Sequence, residues 1–222
     1  MDLLMLYDIS ETDFNREKQN VLDQWQKSKQ DACDRGTIIH KQLEDSFKGG
    51  KQTLERFGLG GKFEFMNDYS DLDLPRGAYS EFSIRYEDGD FRLNGKVDLL
   101  VKDLNDIIVI DFKTNSKINK KAASYNQQTR TTQRMLYPLN KFDNCNFNEY
   151  QLQVSTYAWM LTKIKPELKV KELIIYHIDP ITGAGTMYKC DYLKNEVENM
   201  ISYYRKKLKH EDTMQKMKPL IF

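Results

Sequence analysis

In the stretch NGKVDLLVKDLNDIIVIDFKTN, residues 94–115, two acids and a lysine sit where a plain β-hairpin would need no charge. Asp98 follows the start of one apolar run, and Asp111 and Lys113 close the next. A tight turn at LND, residues 104–106, would bring both carboxylates to one end of a sheet, within reach of one hard cation. Two or three carboxylate oxygens plus water are the usual way a protein holds Mg2+ or Mn2+. Strand period two puts Asp111 and Lys113 on the same face. Two acids and an ammonium on one face suit phosphodiester hydrolysis. A cation would lower the pKa of a water and neutralise phosphate charge; the lysine would position or deprotonate the nucleophile and stabilise the transition state. From these residues alone a plainer reading stays open, two solvated strand-end acids with Lys113 as their salt-bridge partner.

Three further features bear on the choice. Gly95 stands three residues before Asp98, and a glycine in a strand marks a bulge or a close approach by another group. His40 lies in GTIIHKQLED among apolar neighbours; imidazole suits a third ligand position beside carboxylates and favours Mn2+, although such a histidine is more often a packed or surface residue. Gln153 and Tyr157 are spaced i, i+4 in YQLQVSTYAW, on one helical face, where amide and phenol together could bond a phosphate or place the lysine. The alternative there is a core tyrosine and a surface glutamine.

The elements that must position these groups follow from periodicity. Residues 10–31 read as a helix capped by Ser10 or Thr12, with Phe14, Val21, Leu22 and Trp25 as a loose apolar stripe. A second helix is expected over about 37–47, stopped by Gly49-Gly50. Residues 51–79 read as loops around a short helix or extended piece. SEFSIRYE (80–87) alternates, EDGD is a turn, and FRLNGKVDLLVKD is a strand. IIVIDFKT is nearly continuously apolar, so it is expected to be the central strand, covered on both faces. Residues 116–149 form a long polar insert, a length usually associated with function, with room for a short helix near 121–136. A buried helix over 149–164, strands over 170–178 and 185–192 and a closing helix over 193–210 complete an α/β fold, a mixed central β-sheet flanked by helices.

The totals narrow the partners. The chain has 222 residues and a net charge of +1, so any nucleic-acid contact must rest on a local basic cluster. The insert offers Lys117, Lys120, Lys121, Arg130 and Arg134 with Tyr125 and Tyr137; the tail YYRKKLKH offers another cluster. No apolar run reaches membrane-spanning length and the N-terminus lacks a basic signal-type region, so no membrane partner and a cytoplasmic location are expected. Three scattered cysteines fit a reducing compartment.

The ordered set GTIIHKQLE, GKVD, IDFKTN and QLQVSTY resembles the PD-(D/E)xK nuclease superfamily, and within it the RecB-like branch that includes the mitochondrial genome maintenance exonuclease. The insert and the helix after it also resemble nuclease-like proteins of tailed phages. The resemblance implies a restriction-endonuclease-like core, a single nuclease domain over 1–222 with an N-terminal helical part (about 1–50) and the 116–149 insert. It implies a metal-dependent DNA nuclease, an exonuclease rather than a site-specific endonuclease. Its cation, Mg2+ or Mn2+, would be held by His40, Asp98, Asp111 and the Phe112 carbonyl, with Lys113 catalytic beside Asp98 and Asp111. Gln153, Tyr157, Thr114 and Glu81 would support the site and the DNA. DNA and proteins of recombination, replication or packaging are the implied partners, with host cytoplasm as the setting for a phage protein. The cysteines do not bracket the core as in cluster-bearing relatives, and no Walker A pattern occurs, so neither an iron–sulfur cluster nor ATP is expected. The alternative is a catalytically inactive scaffold or nucleic-acid-binding protein that keeps the nuclease fold.

Overall fold

The computed structural model describes residues 10–47, 51–57, 59–60, 62–65, 74–122, 125–126 and 131–216. Its centre is a five-stranded mixed sheet, built from β3 (Gly77–Asp88), β4 (Phe91–Asp103), β5 (Asp106–Lys113), β8 (Lys169–Ile178) and β9 (Gly185–Cys190), in that spatial order. The first three strands form the expected antiparallel meander; β8 then runs parallel to β5, and β9 antiparallel to β8. A parallel neighbour needs a long crossover. Here it is the 114–145 connection and α2 (Asn146–Ile164).

β5 is central because Ile107, Ile108, Val109, Ile110 and Phe112 put apolar side chains on both of its faces, so only a position covered on both faces suits it. Ile107 and Val109 enter a core shared with α2 and α3 (Lys194–Lys216). Ile108, Ile110 and Phe112 enter the opposite core, with Phe47, Phe57, Phe63 and Phe65. Rings fill that second core; Phe47 stacks on Phe65 with centroids 4.9 Å apart. Small elements frame it: β1 (Lys51–Thr53), a 3-10 turn at Glu55–Phe57 and β2 (Lys62–Glu64).

Two expectations are corrected. The separate helices over 10–31 and 37–47 are one helix, α1 (Glu11–Phe47), capped by Ser10, whose Oγ accepts from the Asp13 amide at 3.1 Å. The ACDRG stretch does not break it. Gln30 bonds Asp34 at 2.8 Å and Thr37 bonds the Cys33 carbonyl at 2.9 Å along the helix surface. A mid-helix glycine costs only about 1 kcal/mol, and Gly36 sits in close contact with Thr114. The short helix near 121–136 is also absent among the described residues, where β6 (Tyr125–Asn126) pairs with β7 (Thr131–Thr132). The expected apolar stripe on the front of α1 is not buried. Phe14, Val21, Leu22 and Trp25 are 46%, 42%, 43% and 69% exposed, and of α1 only Phe47 is fully buried.

Candidate active site

The β4–β5 ladder ends at Leu99↔Ile110, so the next rung sets Asp98 opposite Asp111. There the side chain replaces the ladder: Asp98 Oδ2 accepts from the Phe112 amide at 2.6 Å. On the other side of β4 the same level meets Glu81. The paired residues are Ser80↔Leu99 and Phe82↔Val97, and Glu81 between them has φ +54°. A non-glycine residue in this region costs about 1–3 kcal/mol and persists only where its surroundings hold it. Its effect is visible in the core. Tyr79 and Phe82 on β3, and Leu100 and Val97 on β4, all enter the same cluster, which unbroken alternation forbids. Both strands reverse their faces at the Glu81–Asp98 level.

This rearrangement collects the acids around α1. His40 Nδ1 stands 3.7 Å from Asp98 Oδ1, and ligand atoms of His40, Glu81 and Asp98 lie within 4.8 Å of one another. Lys96 pairs with Glu81 at the rim. Asp111, 2% exposed, faces Lys113, with Nζ 2.7 Å from Oδ2. That Oδ2 makes no hydrogen bond of good angular geometry despite its burial, which leaves it able to take a further electropositive ligand. Hard carboxylate oxygens with one imidazole fit Mg2+ or Mn2+.

Lys113 is held on three sides. Its ammonium donates to Gln153 Oε1 at 2.9 Å, lies 4.5 Å from the centre of the Tyr150 ring and pairs with Asp111. Gln153 Nε2 in turn donates to the Tyr157 hydroxyl at 2.8 Å. The Tyr157 ring lies against Gly95, where a Cβ would approach its Cε1 to 2.8 Å. Gly95 thus allows a close approach by a helix residue, one of the two roles its place in the strand suggested. Thr114 touches α1, since a Cβ on Gly36 would stand 3.0 Å from its Oγ1. Phe112 lines the same cleft while its ring packs in the second core. All ten positions singled out from the sequence therefore fall on one cleft of about 830 Å³ or, for Tyr157, on its support and, for Gly95, on the strand beneath.

The sequence profile of the PD-(D/E)XK nuclease superfamily matches residues 61–218. The chain belongs to this superfamily. Its members are metal-dependent phosphodiester hydrolases, and the cleft carries the acids and lysine that such chemistry uses. The match begins after α1, so His40 lies outside it. Among solved structures, one titled "Crystal structure of SSO0001" is 16% identical, with 76% of this chain and 56% of that chain covered and a TM-score of 0.37. The chain spans little more than half the length of that structure, and a likeness at this level carries no argument about function. The comparison with curated proteins finds no match.

Two residues beside the candidate site escaped the sequence reading. Tyr150 caps the lysine, and nothing in NEYQLQ distinguishes it from a helix-surface tyrosine. His177, buried on β8 beside Lys113, holds the Asn115 carbonyl at 2.6 Å through Nε2 and so fixes the chain just after the lysine. Its only signal was a histidine at the end of an apolar strand, in IIYHIDP. The basic candidates of the insert have mixed fates. Arg134 is committed to Asp143 at 2.9 Å, and Lys120 lies over the Phe147 ring, 5.0 Å from its centre. Arg130 and the Tyr125 side chain lie outside the described residues.

Burial pushes the Asp98 carboxyl up to about 7, reinforced by the Asp111 charge; the Phe112 amide opposes this, Glu81 adds to it and Lys113 opposes it. Asp111 is also raised by burial, against the pull of Lys113. An acid raised from an ordinary 3.8 to about 7 binds more protons folded than unfolded between those values, so its contribution to stability is lost as pH rises through that window. The metal-free protein in EDTA should therefore melt at a lower temperature at about pH 8 than at about pH 5. Asp98→Asn should flatten that slope, and Mn2+ should raise the melting temperature more at the higher pH. A pH profile unchanged by Asp98→Asn would show that Asp98 is not the group responsible.

Proposed function

We propose that the protein is a deoxyribonuclease of the RecB-like branch, acting as an exonuclease with Mg2+ or Mn2+. The single observation that carries the hydrolase part of this reading is the meeting of Asp98, Asp111 and Lys113 with His40 and Glu81 on one cleft, where the end of β5 lies beside the middle of β4. His40, Glu81, Asp98 and Asp111 would hold the cation, with the Phe112 carbonyl as a further ligand. When bound, the cation supplies a more acidic water and offsets negative charge on the phosphate. Lys113, fixed by Gln153 and Asp111, presents its ammonium to the non-bridging phosphate oxygens and orients the attacking water. Water oxygen bonds to phosphorus and the water gives up a proton to solvent, the bond to the leaving oxygen breaks, and that oxygen takes up a proton from solvent. Gln153, Tyr150 and Tyr157 act by holding the lysine, and Thr114, which lines the cleft, would meet the phosphate backbone.

The choice of DNA and of end-directed digestion rests on the resemblance of GKVD, IDFKTN and QLQVSTY to RecB-like exonucleases. So do the recombination, replication or packaging partners, the phage setting and a host-cytoplasmic location. Among the described residues no helix is long and apolar enough to cross a membrane. The test is digestion of end-labelled linear and closed circular DNA, single- and double-stranded, with Mn2+, Mg2+ or EDTA, beside Lys113→Ala. Cation-dependent loss of linear DNA alone, absent in the variant, is expected. Cutting of circles would make the protein an endonuclease, and binding without cleavage under every condition would favour the scaffold reading.

A further inference from the structure

We propose that the exposed front half of α1 guides an unpaired nucleic-acid strand into the cleft, with Trp25 stacking on bases and Lys18 and Lys29 meeting phosphates. The proposal rests on the nuclease reading and adds the path of the strand. α1 runs unbroken from Glu11 to Phe47, and residues 14–35 are exposed throughout. Its rear half forms a wall of the cleft, through Lys29, Cys33, Gly36 and His40. At 3.6 residues per turn, Lys18, Leu22 and Trp25 fall within about 60° of His40 around the axis, so the cleft-facing side continues forward along them. Trp25 lies about 22 Å from His40 at 1.5 Å per residue, a span of several nucleotides.

Between Asn15 and His40 the helix keeps its acids off the cleft side, whereas Glu11 and Glu44, at its two ends, lie within about 40° of the His40 direction. Asp13, Glu17, Asp23, Asp31 and Asp34 all lie about 100° or more from the His40 direction. Three of them are held by neighbours: Asp13 by Arg16 at 2.7 Å, Asp23 by Gln19 at 2.7 Å and Asp34 by Gln30 at 2.8 Å. The cleft-side face between Asn15 and His40 thus carries lysines, a tryptophan and amides but no carboxylate. A cation-bearing aromatic face that leads into a phosphodiester-cleaving cleft matches the way proteins bind single strands, by stacking and phosphate contact. An unpaired strand is the occupant, since a duplex hides the faces of its bases except at its ends.

The chain's two tryptophans make the test direct, because Trp159 is 4% exposed and Trp25 is 69% exposed. Full-length protein made silent by Asp111→Asn is titrated with an oligothymidine strand while tryptophan fluorescence and strand anisotropy are followed. Quenching is expected, and Trp25→Ala should remove it and weaken single-strand affinity about tenfold or more. Lys18→Ala and Lys29→Ala should each lower the salt slope by about 0.7. Full affinity in Trp25→Ala, or binding without quenching, would overturn the proposal. So would a dimer that Trp25→Ala splits with strand affinity unchanged, which would make the stripe an interface between copies. Quenching in the silenced variant with no cleavage by the parent protein would sink the nuclease reading and support the guide, whereas cleavage by the parent without quenching in the variant would do the reverse.

Discussion

Asp111→Asn is expected to abolish cleavage, a loss of about 10³-fold or more, while the fold and DNA binding survive. The side chain is almost fully buried, and its Oδ2 has the Lys113 ammonium 2.7 Å away and no well-aligned hydrogen bond. Asparagine keeps the shape but removes the charge that both the lysine and a cation would require. Because Asp111 also raises Asp98 by repulsion, the variant should melt no lower than the parent in EDTA at neutral pH. Parallel melting and turnover measurements separate the outcomes. A variant that cuts at the parental rate would remove Asp111 from the chemistry; one that neither folds nor cuts would call for Asp111→Ser in its place.

Gly95→Ala is expected to damage both stability and turnover from a position that touches no substrate. A methyl there would stand 2.8 Å and 2.9 Å from two carbons of the Tyr157 ring. Overpacking of this kind costs about 1–3 kcal/mol. The ring would be pushed from β4, carrying with it the hydroxyl that Gln153 uses and hence the amide that holds Lys113. Turnover should fall by about 10²-fold, the order of effect that small misplacements of catalytic groups produce. Tyr157→Phe, which keeps the ring and loses only the hydroxyl, should melt within a few degrees of the parent and lose less activity. Unchanged turnover in Gly95→Ala would mean that the Tyr157–Gln153–Lys113 chain does not position the lysine.

Much of the molecule could be read before any coordinates. The apolar run at IIVIDFKT required a strand covered on both faces, and β5 is that strand. Period two placed Asp111 and Lys113 together, and the i, i+4 spacing placed Gln153 and Tyr157 together, because both rules act within one element. The family could be read for the same reason, since its motifs are short and local. Helix continuity through ACDRG was not legible. Local propensity there is weak, and Gly36 fits close beside Thr114, a residue far away in the chain.

The sequence by itself determined which groups could do the chemistry and on which elements they lie. Only the tertiary structure decided how those elements meet. The positive φ at Glu81 turns two strands over at once and carries that acid to Asp98 and His40. Tyr150 caps Lys113 and His177 braces the chain just after it, from a helix and a strand whose local sequence gives no hint of it. The physical reason is range. Periodicity and capping are settled by neighbours a few residues apart, whereas a backbone held in a costly conformation, or a ring set over a lysine, depends on contacts that only the assembled core can supply.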